Sequence, residues 1–193
     1  MEVEADLVEA DDAWCGAVVC HPHPAYGGDR YNVVVDRIFQ TLAGAGVTVV
    51  RFDFRGTGED GPEDVLIAVE EVARHLEPGR PLWLVGYSFG ADIALSVGDQ
   101  HVAGWVAVAP ALRFGSPPRP AEGDPRPVLV LAAEHDQFTS PDHLSDVTAN
   151  WPDASLTVLK GVDHFLAGAA GRVADAVLAW LRDQTAEGGQ GTG

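Results

Sequence analysis

The chain has 193 residues, 46% of them apolar and 21% charged, enough for one globular domain and too few for two ordinary ones. Twelve basic residues against 29 acidic ones leave a net charge of −17. A surface that acidic repels phosphate backbones and anionic lipid, which argues against nucleic-acid and membrane partners.

From the N-terminus, Glu2–Glu9 alternates, and Val3, Ala5 and Leu7 are expected to face inward on an antiparallel edge strand. Residues 1–6 lack the basic and apolar regions of a secretory leader, and no apolar run approaches bilayer length, so a cytoplasmic protein is expected. Continuous apolar runs follow at Gly16–Cys20, Val47–Phe54, Leu82–Val85, Val102–Val108, Val128–Ala133 and Leu156–Leu159. Runs of this kind predict strands covered on both faces. Helices are predicted between them at Tyr31–Ala43, Glu63–Leu76, Ala91–Val97, Pro141–Asn150 and Ala169–Gln184. Pro62 and Pro141 stand at helix starts, where a missing N–H does no harm. The alternation predicts an α/β fold: a mostly parallel sheet with helices on both faces.

One domain is expected over residues 1–184, with the proline-rich Arg113–Pro127 as a surface loop and 185–193 as a flexible tail. Cys15 and Cys20 are the only cysteines, too few for a metal ribbon. Their odd spacing along a strand points them to opposite faces, which disfavours a mutual disulfide.

Gly86-Tyr87-Ser88-Phe89-Gly90 follows one predicted strand and precedes a helix. That is the setting of a nucleophile elbow, in which a strained serine is exposed between glycines that permit a tight strand-to-helix crossing. A serine needs a base, and the base needs a group that sets its tautomer. Asp136 and His164 each follow a predicted strand end, where α/β sheets place their ligands, and they come in the order serine, acid, histidine. His143 falls within a helix, and His75 and His101 precede strands, so all three belong elsewhere. Asp53 is the spare acid.

Acyl transfer also needs N–H donors for an oxyanion. Phe89, at the start of its helix, offers one backbone donor. The other is expected from His21-Pro22-His23-Pro24-Ala25-Tyr26-Gly27-Gly28, where the prolines have no N–H, leaving His23 first and Ala25 in reserve. A single His21-x-His23 pair falls short of a metal-ligand set, which disfavours a metal site. Gly56-Thr57-Gly58-Glu59-Asp60-Gly61 matches a dinucleotide-binding pattern. Its two carboxylates sit where a pyrophosphate would lie, and the next strand ends without a ribose-binding acid, so no cofactor is expected.

Together, the His-Pro-His-Pro loop, the Arg-Phe-Asp-Phe-Arg-Gly turn, the Gly-Tyr-Ser-Phe-Gly elbow and the Gly-Val-Asp-His-Phe segment resemble the α/β-hydrolase superfamily. They are most similar to its small, lidless bacterial branch, which includes dienelactone hydrolases and Xaa-Pro-peptidase-like hydrolases. The resemblance covers roughly Ala13–Leu181. It implies an α/β-hydrolase fold without a cap domain, Ser88 as nucleophile, Asp136 as acid, His164 as base, and backbone donors from His23 and Phe89. It implies a serine hydrolase acting on a small acyl ester or thioester at an open, shallow site, with Tyr87, Phe89 and Phe138 as an apolar wall. The superfamily also holds non-catalytic binding proteins, which are the alternative. Glu59 and Asp60 depart from the pattern of relatives, making the rim more acidic and favouring neutral substrates.

Overall fold

In the computed structural model, which describes residues 3–56, 60–112 and 119–188, the apolar segments become seven strands of one sheet. They are β1 (Ala5–Val8), β2 (Gly16–Cys20), β3 (Thr48–Phe52), β4 (Leu82–Tyr87), β5 (Val102–Val108), β6 (Val128–Ala133) and β7 (Ala154–Leu159). The helices between them are α1 (Val33–Gly44), α2 (Gly61–Arg74), α3 (Phe89–Leu95), α4 (Pro141–Thr148) and α5 (Ala170–Gly188). The strand order is β1-β3-β2-β4-β5-β6-β7, with β1 antiparallel to β3 and every other pairing parallel.

Successive residues of a strand face opposite sides, so each central strand feeds two cores. Ala17 and Val19 join α1 and α5 on one face, while Val18 and Cys20 join α2, α3 and α4 on the other. Cys15 lies in the first core and Cys20 in the second, as their spacing requires. Each fully buried Val, Leu or Ile contributes roughly 1.5–3 kcal/mol of burial free energy before conformational entropy opposes it.

Several boundaries differ from expectation, each for a local reason. Helix α1 begins at Val33 rather than Tyr31 because the Asn32 side chain accepts the Val34 amide and caps it. Ala5 is exposed instead of inward; Val3 and Leu7 pack against the core, and Asp6 reaches Arg51. Strand β7 is the sheet edge and alternates between partly buried and exposed residues, because one face of an edge strand is not fully covered. Helix α5 continues through Thr185 to Gly188, beyond the tail boundary expected at Gln184. Thr57–Glu59 and Arg113–Pro118, which carry part of the acidic rim and of the proline-rich loop, lie outside the described residues. Among the described residues no cap domain follows β5; a 3-10 turn at Pro120–Glu122 leads into β6. No helix among them is long and apolar enough to cross a membrane.

The order of strands decides where a site can form. From β2 the chain passes to β3 on one side, then crosses to β4 on the other, which opens a crevice at the carboxyl ends of β2 and β4. The loops after β6 and β7 reach the same edge.

Candidate active site

Ser88 stands between β4 and α3 with φ 55 and ψ −117, a left-handed conformation for a residue with a Cβ. Such backbones cost of order 1–3 kcal/mol and persist only where the surroundings enforce them. The Ser88 amide donates to the Val108 carbonyl at 2.8 Å, which ties the turn to β5. The flanking glycines explain the rest of the motif. A Cβ on Gly86 would fall 2.3 Å from the Gly90 carbonyl oxygen, and one on Gly90 would fall 2.5 Å from the carbonyl oxygens of Cys20 and His21. The elbow is therefore wedged against the end of β2.

Ser88 Oγ lies 2.9 Å from Nε2 of His164, and His164 Nδ1 lies 2.8 Å from Oδ2 of Asp136. A carboxylate only accepts, so Nδ1 carries the proton and neutral Nε2 is left to accept from the serine hydroxyl. Asp136 is almost fully buried, its side chain 1% exposed. Burial alone would raise its pKa, but the His164 ring and the amides of Thr139 and Phe138 outweigh it and hold the carboxyl below its ordinary value. Those amides donate to Oδ1 at 3.0 and 2.8 Å. One carboxylate thus orients the imidazole and organises its own loop.

The His164 loop is held from two further directions. The Tyr87 hydroxyl donates to the His164 carbonyl at 2.9 Å, and the His164 amide donates to Gln137 Oε1 at 3.2 Å. Tyr87, expected in the substrate wall, is 4% exposed within the core and so braces the histidine from beneath. Burial, followed by the negative charges of Asp136 and Asp163, pushes its phenol up to about 12, so it remains a donor. Phe138 does lie at the rim, its ring 4.6 Å from that of His164.

The loop after β2 closes the other side. His21 is buried, with Nδ1 2.6 Å from the Pro22 carbonyl and Nε2 accepting the Phe54 amide at 3.0 Å. A carbonyl cannot donate and an amide cannot accept, so this ring is neutral with its proton on Nδ1. Burial lowers its pKa, against the opposing pull of Pro22, Asp53 and Asp29. His23 packs its ring against Phe89 at 4.7 Å, and its Nδ1 accepts the Ala25 amide at 3.1 Å. Ala25, the reserve oxyanion donor, is thereby occupied. Phe89 opens α3, and the first amide of a helix has no carbonyl behind it in the helical ladder.

Asp53 does not face His164. It accepts the Arg30 amide at 2.7 Å and pairs with the Arg30 guanidinium, while Arg55 grips buried Asp64 and, at 2.9 Å, Glu63. Both clamp loops around the crevice. Among the described residues no group of three or more His, Cys, Asp or Glu side chains is arranged to hold a metal ion. The structural parts of His21, Gln137, Thr139 and Tyr87 were not anticipated. Only the position of His21 directly after a buried strand hinted at its burial.

Residues 17–123 match a family described as the alpha/beta hydrolase family, and the chain belongs to it. The fold is similar to an alpha-beta serine hydrolase homologue from Coxiella burnetii, with TM-score 0.79 and 26% identity over 93% of this chain and 90% of that one. It is also similar to XC6422 from Xanthomonas campestris, described as an a/b serine hydrolase without lid. The TM-score is 0.69 and the identity 31%, over 92% of this chain and 88% of that one. In sequence it is 26% identical to the uncharacterized protein RP471 of Rickettsia prowazekii, over 77% of this chain and 71% of the relative.

Proposed function

We propose that this α/β hydrolase is a cytoplasmic serine hydrolase that cleaves a small acyl ester or thioester through an acyl-enzyme. The observation that carries the reading is the continuous chain of hydrogen bonds Ser88–His164–Asp136, at 2.9 and 2.8 Å, built on a serine with φ 55.

In this mechanism Ser88 Oγ attacks the acyl carbon while its proton passes to His164 Nε2. Asp136 stabilises the imidazolium and keeps its orientation. The oxyanion is received by the backbone amides of Phe89 and His23. Collapse breaks the bond to the leaving group, which takes the proton from Nε2. Water then attacks the acyl-enzyme, gives a proton to His164, and releases the acid as Ser88 Oγ recovers its hydrogen. No step calls for a cofactor.

A fluorophosphonate probe tests the reading directly. Wild-type protein is expected to be labelled on Ser88 and to hydrolyse short p-nitrophenyl esters, and Ser88→Ala to do neither. Folded wild-type protein that takes no label and turns over no ester would favour the alternative of a non-catalytic binding protein.

A further inference from the structure

Two large apolar side chains stand in the open beside His164. Phe138 and Phe165 are 53% and 58% exposed, and their ring centroids lie 4.6 and 5.8 Å from that of the imidazole. They lie 6.1 Å from each other at an interplanar angle of 83°. Neither ring rides on a slack backbone. The Phe138 amide is held by the same Asp136 carboxylate that orients His164, and the Phe165 amide donates to Asp163 Oδ1 at 3.1 Å. An apolar ring kept in water by fixed backbone is an unspent contact surface.

The chemistry of the site says what that surface meets. A tetrahedral centre on Ser88 Oγ directs its oxyanion to the amides at the start of α3 and after β2. Its leaving atom must come within hydrogen-bond reach of His164 Nε2, which protonates it. The exposed side chains beside the imidazole therefore flank the leaving group, while the side of the crevice beyond His23 and Phe89 belongs to the oxyanion. Aromatic rings prefer edge-to-face or offset partners, and two perpendicular phenyl rings offer a third ring either contact.

Resting on the serine-hydrolase reading, we propose that the enzyme is selective for esters of aryl alcohols, and that Phe138 and Phe165 bind the departing ring. In the acylation step the serine oxygen–carbon bond forms and the carbon–oxygen bond to the aryl group breaks. The serine proton travels through Nε2 to the aryl oxygen, releasing a phenol.

The test uses two acetyl esters that form the same acyl-enzyme from leaving groups of similar acidity, phenyl acetate and hexafluoroisopropyl acetate. For each protein the ratio of kcat/KM on the phenyl ester to that on the fluoroalkyl ester is measured. In Phe138→Ala and Phe165→Ala the ratio is expected to fall roughly five- to tenfold, the size of an aromatic pair contact. Phe138→Leu and Phe165→Leu, which keep most of the bulk, are expected to lower it in the same direction. Fluorophosphonate labelling, which involves no aryl group, reports whether Ser88 is still armed in each variant. An unchanged ratio in variants that still label would overturn the aryl assignment and leave the serine-hydrolase reading intact. Wild-type protein that neither labels nor cleaves either ester would remove both.

Discussion

On one side of Ser88 the His164 loop is tied down by charge: the Asp136 carboxylate takes the imidazole and two backbone amides, with Tyr87 and Gln137 adding neutral bonds to the His164 backbone. On the other side the loop after β2 is anchored at its start without charge, and the Arg30–Asp53 ion pair holds only its far end. A neutral, buried His21 bridges the Pro22 carbonyl and the Phe54 amide, and Gly90 lets the end of β2 lie directly against α3. The difference follows from what each wall must do. In the proposed reaction the His164 side stabilises a proton that it gains, which calls for a nearby anion. The β2 side, in the same proposal, presents amides to a developing oxyanion, and an anion beside those amides would oppose it.

Removing the charge on the first side should have the largest effect. Asp136→Asn preserves the shape of the side chain but cannot hold the same imidazole tautomer, and kcat is expected to drop about 10⁴-fold, with a melting point lowered by the loss of its charge-assisted hydrogen bonds. Steady-state kinetics beside a melting curve check this, and a loss under tenfold would mean that the acid is dispensable. On the neutral side, His21→Leu strands the buried Phe54 amide. Stability should fall by about 1–3 kcal/mol in chemical denaturation, and kcat roughly 10²-fold as the oxyanion donors shift. An equal effect on KM and none on kcat would show that the loop serves binding alone. Tyr87→Phe removes only the bond to the His164 carbonyl; a loss of about 1 kcal/mol in stability and a severalfold lower kcat are expected.

Acidification should separate the two walls without mutation. The pKa of His21 is lowered from 6.5, so its contribution to stability is complete above that value and is lost as pH falls beneath it. The pKa of Asp136 is lowered from 3.8, so its contribution lasts until pH falls below 3.8. Hydrogen exchange, corrected for the intrinsic rate, should therefore show the Phe54 amide losing protection as pH falls below 6.5, while Phe138 and Thr139 keep theirs down to 3.8. Simultaneous loss at all three would erase the distinction between the walls.

Much of the site was legible as pattern. Ser88 could be read because glycines on either side of a serine after an apolar run have a steric purpose, and the structure shows carbonyl oxygens where Cβ atoms would be. Asp136 and His164 could be read because a parallel sheet places loops after its strands on one edge, whatever the strand order. Tyr87 could not be placed: its phenol reaches the residue 77 positions further on, a contact that no local spacing encodes. The same holds for His21, whose partner Phe54 is 33 residues away, just past the end of the neighbouring strand β3.

By itself, then, the sequence determined the alternation of strands and helices, and it singled out the residues proposed to attack, accept a proton and carry charge. Those depend on local sterics and on periodicity, which are properties of short segments. Tertiary structure alone decided that Ser88, His164 and Asp136 lie within hydrogen-bond reach, that Tyr87 braces instead of binding, and that Phe138 and Phe165 stand in the open. Each of these depends on the sheet order that brings the ends of β2, β4, β6 and β7 to one edge, and strand order is a global outcome of packing both faces at once.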